Sequence, residues 1–141
     1  MRFWDSSAIV PLLVEEPSRE RAARLAEGDP LIVVWWATVV ECAAAIARRE
    51  RDGSLRPAEA QAALEDLRDY AEEWQEVLPS EQLRSVARRL LRMHNLHAGD
   101  ALQLAAGIIA AEGNPGSLDF VCLDDRLALA AEREGFRVLG S

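Results

Sequence analysis

Four acidic residues sit where carboxylates could do chemistry: Asp5, Glu41, Asp100 and Asp124. Asp5 directly follows a short strand candidate, Arg2–Trp4, and Asp124 follows another, Phe120–Leu123. Either aspartate alone reads as a helix N-cap. Glu41 lies in Val39-Val40-Glu41-Cys42-Ala43-Ala44-Ala45-Ile46-Ala47, an almost wholly apolar helix. A carboxylate half-buried there needs a partner, an arginine or a cation, because an unpaired buried charge is costly or takes up a proton. Asp100 opens the small-residue segment Asp100-Ala101-Leu102-Gln103-Leu104-Ala105-Ala106, where a first-turn carboxylate also interacts with the helix dipole.

If the four meet, mutual repulsion forbids full ionisation without a counter-charge, which protons or divalent cations could supply. Oxygen donors with no matching His or Cys select Mg²⁺ or Mn²⁺. Such ions activate water and offset charge on a phosphodiester. The chemistry expected of this set is metal-assisted phosphodiester hydrolysis, with Asp5, Glu41, Asp100 and Asp124 serving as catalytic groups and metal ligands.

The elements that must position these residues alternate between strand and helix. Asp5-Ser6-Ser7 caps a helix carrying Ala8, Ile9, Leu12 and Leu13, with Pro11 in its opening turns. A charged helix follows from about Arg19 to Glu27. Leu31–Trp35 lacks alternation and suits a strand buried on both faces. Thr38 caps a helix running to about Arg51, and Pro57 opens another reaching towards Trp74. Glu76–Leu78 is a short strand; Ser80 caps a helix with Leu83, Val86, Ala87, Leu90 and Leu91. The helix Asp100–Ala111, the strand Phe120–Leu123, a helix Asp125–Glu134 and the strand Phe136–Leu139 complete the chain. Strands separated by helices predict a parallel sheet covered on both faces, whose ligands collect at the carboxyl ends of its strands.

Composition fits this reading and narrows it. The 141 residues suit one domain with a substantial core, and half are hydrophobic. No apolar run approaches the ~20 residues of a membrane span. The N-terminus has no secretory pattern, so a cytoplasmic location without membrane attachment is expected. Cys42 and Cys122 stand apart in apolar sequence and are expected to be buried, reduced thiols. The net charge of −8 argues against a broad basic face for nucleic acid, although a carboxylate metal site itself lowers the charge. Every basic side chain is Arg. A phospho-signalling receiver or a dehalogenase-like phosphatase would want a Lys, which this chain lacks.

The segments Phe3-Trp4-Asp5-Ser6-Ser7-Ala8-Ile9-Val10, Thr38-Val39-Val40-Glu41 with Ala44 and Arg48-Arg49, Leu96 to Ala106, and Phe120-Val121-Cys122-Leu123-Asp124-Asp125-Arg126-Leu127 resemble the four blocks of PIN-domain toxins of the VapC type. The resemblance runs from residue 3 to about 139. It implies a single PIN domain over 1–141: a three-layer α/β/α fold around a parallel sheet of about five strands. It further implies Mg²⁺- or Mn²⁺-dependent endoribonuclease activity, homodimerisation and inhibition by a cognate VapB-like antitoxin. The family's acidic positions fall on the same four residues, and its hydroxyl beside the first aspartate falls on Ser6. Two positions depart from the pattern. Cys122 stands where Thr or Ser is common, and a thiol supports a carboxylate less well. Gln103 stands where many relatives have His, with little consequence expected. An impaired site, leaving only a binding module, is the alternative that Cys122 raises.

Other residues have bland readings beside sharper ones. His94 and His97 suit a loop better than a metal pair. Arg48, Arg49, Arg88 and Arg92 lie on solvated helix faces, or alternatively contact RNA phosphates. Trp35 and Trp36 suit core or interface packing.

Overall fold

The computed structural model describes residues 1–140. It contains five strands, β1 (Arg2–Trp4), β2 (Ile32–Trp35), β3 (Gln75–Val77), β4 (Asp119–Val121) and β5 (Val138–Leu139). Seven helices join them: α1 (Ser6–Leu13), α2 (Arg19–Gly28), α3 (Thr38–Arg51), α4 (Pro57–Glu73), α5 (Glu81–Met93), α6 (Ala98–Ala110) and α7 (Asp125–Arg133). A short 3₁₀ turn, Pro115–Ser117, precedes β4. No helix among the described residues is long and apolar enough to cross a membrane.

All strand pairs are parallel, in the order β3-β2-β1-β4-β5. Period-two alternation divides their side chains between two cores. Phe3, Val33, Trp35 and Phe120 face α5, α6 and α7, packing with Leu83, Leu90, Leu104, Leu127 and Phe136. Trp4, Ile32, Val34 and Val121 face α1 to α4, packing with Ile9, Ile46, Leu67 and Trp74. The expected three-layer α/β/α fold is therefore present.

β1 lies in the middle, with β2 on one side and β4 on the other. The chain first winds outward through β2 and β3, then returns to the far side of β1. Such a reversal leaves a crevice at the carboxyl ends of the central strands. Asp5 and Asp124 lie just beyond those ends.

Several local expectations need correction. Thr38 does not cap α3: Ala37 holds that position, and Thr38 is the first helical residue, fully buried. β4 stops at Val121 because the next amides leave the regular ladder. Cys122 N–H still reaches Leu139 O at 3.0 Å, but Leu123 N–H turns to the Ser7 hydroxyl at 2.9 Å. Phe136 lies outside β5, in the turn that follows α7, its N–H bonded to Ala131 O at 3.0 Å after Gly135 takes φ +106°.

Candidate functional site

Asp5 is anchored by its backbone and left unusual by its side chain. Its N–H bonds to Val121 O at 3.1 Å, pinning the end of β1 beside β4. It occupies the N-cap position of α1, yet its carboxylate makes no capping hydrogen bond. Instead Oδ1 accepts from Ser7 Oγ at 2.7 Å, and Ser7 Oγ in turn accepts from Leu123 N–H. One hydroxyl thus ties together the ends of both central strands. Asp5 is only 3% exposed. Burial pushes its carboxyl from 3.8 up to about 7; the Ser7 bonds pull it down, and the negative charges of Asp124 and Glu41 push it further up.

Glu41 projects from the first turn of α3. Burial raises its pKa, hydrogen bonds from Gln103 and Ser6 lower it, and the nearby Asp100 charge raises it. Its protein partner is an amide rather than an arginine: Gln103 Nε2 donates to Glu41 Oε1 at 2.6 Å and to Thr38 Oγ1 at 3.0 Å. The start of α6 packs close beside it, so a Cβ placed on Gly99 would lie 3.8 Å from Glu41 Oε2. Asp100, in that first turn, accepts from His97 N–H through Oδ2 at 3.3 Å. Asp124 caps α7, its Oδ1 accepting from Leu127 N–H at 2.9 Å.

All four carboxylates line one open cleft of about 810 Å³, together with Ser6, Ser7, Arg21, Arg48 and Arg49. They share its floor without touching. Among the described residues, no three acidic, imidazole or thiol groups converge to ligating distance. Each carboxylate is instead held by its own donor: Ser7, Gln103, or the backbone of His97 or Leu127. Among the described residues, Asp100 Oδ1 and Asp124 Oδ2 have no hydrogen-bond partner.

The arginines do not neutralise this floor. Arg49 pairs with Glu16 at 2.7 Å, and Arg21 donates to the carbonyl of Gly140. Among the described residues, no arginine forms an ion pair with Asp5, Glu41, Asp100 or Asp124. An all-oxygen donor set with unbalanced negative charge fits a hard divalent cation such as Mg²⁺ or Mn²⁺.

Several residues take other roles than the sequence indicates. Ser7, rather than Ser6, holds Asp5, while Ser6 acts on Glu41. Cys122 donates its thiol to the backbone carbonyl of Asp124 at 3.3 Å and not to the carboxylate. Both thiols are buried and free; burial pushes Cys42 up to about 12 and Cys122 higher still, so neither supplies a thiolate. Gln103, which the sequence suggests is of little consequence, is the residue that grips Glu41. A lone amide among Leu and Ala, three residues after Asp100, is the signal that could have found it. Arg48 and Arg49 line the cleft, whereas Arg88 and Arg92 are exposed on α5 away from it. His94 contacts Glu134 at 2.7 Å and His97 contacts Arg126 at 3.0 Å, so they form no metal pair.

Among known proteins, the PIN domain family model matches residues 2–112. Ribonuclease VapC45 of Mycobacterium tuberculosis (strain CDC 1551 / Oshkosh) is 32% identical over 139 residues, covering 96% of this chain and 92% of that protein. Ribonuclease VapC49 of M. tuberculosis (strain ATCC 25618 / H37Rv) matches to the same extent. A toxin–antitoxin complex from Klebsiella pneumoniae superposes with a TM-score of 0.62 at 14% identity, over 91% of each chain. FitAcB from Neisseria gonorrhoeae superposes with a TM-score of 0.66 at 17% identity, over 98% of this chain and 96% of that one. These two structures bear on the fold alone.

Proposed function

The chain belongs to the PIN-domain family, within its VapC group, and from that premise we propose that it is a divalent-metal-dependent endoribonuclease, the toxin of a toxin–antitoxin pair. The observation that carries the reading is the lining of one cleft by four carboxylates from four separate segments, with Arg48 and Arg49 lining it too.

In this reading Asp5, Glu41 and Asp100 hold a Mg²⁺ or Mn²⁺ ion, and Asp124 completes the pocket directly or through water. The bound ion supplies an activated water and offsets charge on the phosphodiester. The chain's own residues prepare the rest. Ser7 fixes Asp5 to both strand ends, so its carboxylate is preorganised before any ligand arrives. Burial, which makes ionised Asp5 costly alone, makes it a strong partner for a cation. Arg48 and Arg49 stand where phosphates of an RNA strand would pass, giving an acidic protein a local basic path. Arg88 and Arg92 lie outside that path.

The similarity to proteins named VapC ribonucleases supports a VapB-like antitoxin as partner. A homodimer built of single PIN domains, acting on RNA in the cytoplasm, completes the proposal. The alternative of an impaired site rests on Cys122, whose thiol does not touch the Asp124 carboxylate.

The direct test is cleavage of a mixed RNA pool by purified protein. Activity should require Mg²⁺ or Mn²⁺, stop with chelator, and vanish in Asp5→Asn while that variant stays folded. Undiminished cleavage by Asp5→Asn, or by wild type in chelator, would remove the assignment.

A further inference from the structure

Gln103 is the polar side chain for which packing offers no account. It is 1% exposed and sits in α6 between Leu102 and Leu104, in the half of the core that holds Ala101, Ala105 and Ala106. A leucine or methionine of similar volume would fill that space without burying an amide. The amide is also poorly satisfied on its own account. Both N–H bonds of Nε2 are spent, one on Thr38 Oγ1 and one on Glu41 Oε1, while Oε1 is buried with no partner. Leaving a buried acceptor unpaired is costly, and the reverse orientation of the amide would set a carbonyl against a carboxylate. The arrangement serves Glu41 at the expense of the core.

We propose that Gln103 is a positioning residue: with its amide steadied by Thr38, it fixes the Glu41 carboxylate in the cleft in the pose that receives the divalent cation. This rests on the metal-dependent reading of the site. The Glu41 carboxylate, which can only accept, is the reason that the amide presents N–H rather than C=O, and Thr38 Oγ1 steadies that orientation by accepting the second N–H. With that N–H on Oε1, the Glu41 side chain is held by one oxygen, and Oε2 lies on the side facing the start of α6, where Asp100 is placed. Partners behind metal ligands commonly change affinity by 10–100-fold when removed.

Mn²⁺ binding by calorimetry on RNA-free protein, with melting of the metal-free form, separates this role from a structural one. Gln103→Met should melt at or above the wild-type temperature and bind Mn²⁺ about 10–100-fold more weakly. The Mn²⁺ concentration for half-maximal cleavage should rise in step, with kcat at saturating Mn²⁺ falling less. Gln103→His, whose Nε2–H falls close to the position of the amide N–H, should keep near-wild-type affinity. Thr38→Val leaves Gln103 in place but frees its amide to turn, and should weaken Mn²⁺ binding; it carries the test if Gln103→Met folds poorly. If wild type binds Mn²⁺ and cleaves RNA while Gln103→Met and Thr38→Val bind equally tightly, the positioning role is wrong and the functional reading stands. If wild type neither binds Mn²⁺ nor cleaves RNA, the functional reading falls and takes this inference with it.

Discussion

Replacing Asp5 by Asn should make the metal-free protein more stable, and by an amount that depends on pH. The folded state holds the Asp5 carboxyl at about 7 against 3.8 for the free side chain, chiefly because it is buried. A raised carboxyl pKa means the folded form prefers the proton, so wild type loses stability as pH rises from 3.8 to about 7 and no further. At roughly 1.4 kcal/mol per pH unit, the loss is on the order of 1–2 kcal/mol at pH 5 and about 4 kcal/mol above pH 7. Asn is neutral throughout, and its Oδ1 can still accept from Ser7 Oγ. The variant should therefore gain little at pH 4 and most at pH 8, where its melting temperature should exceed that of wild type by several degrees. The assay is thermal or urea unfolding in chelator at pH 4, 5, 6, 7 and 8. Adding Mn²⁺ at pH 8 should narrow the gap, because a ligand that binds only the folded wild type stabilises it. An Asp5→Asn gain that is constant with pH, or a loss at pH 8, would refute the claim that burial of this charge strains the site.

Three further substitutions have defined outcomes. Ser7→Ala removes the donor to Asp5 and strands the Leu123 N–H, and should cost about 1–3 kcal/mol in urea unfolding together with a loss of cleavage. Arg48→Ala should weaken RNA binding without changing Mn²⁺ affinity; the slope of log K against log salt should become shallower by about 0.7 for each phosphate that the variant no longer neutralises. Gly107→Ala should destabilise the fold by about 1–3 kcal/mol despite its better helix propensity, because the new Cβ would come within 2.8 Å of Phe120 Cε2. A Gly107→Ala protein as stable as wild type would show that α6 does not pack this closely on the sheet.

The frame was readable because its signals are local. Uninterrupted apolar runs such as Ile32–Trp35, together with Pro57, Ser80 and Asp124 at helix starts, mark elements through backbone rules that act over a few residues. The four acidic positions were readable because charge stands out in apolar sequence or at strand ends. The donors that hold them were not. Ser7 reaches Leu123 across 116 residues, and Gln103 reaches Glu41 across 62, so each pairing exists only after the sheet and α6 have docked. Ser6 and Ser7 differ by one residue, and only the first turn of α1 decides which hydroxyl turns towards Asp5. Thr38 reads as a cap from sequence, but a tertiary acceptor role outweighs capping once Gln103 is buried against it. Arg48 and Arg49 differ from Arg88 and Arg92 in the layer to which their helix belongs, a distinction no local pattern encodes.

The proposed chemistry depends on four separated carboxylates answering to a divalent cation. Crystals soaked in Mn²⁺ and measured at the manganese absorption edge address it directly. An anomalous peak is expected on the cleft floor, ligated by Asp5, Glu41 and Asp100, with Asp124 bound to it or to its water. A floor without manganese, with Arg48 or Arg49 folded inward onto the carboxylates, would contradict it.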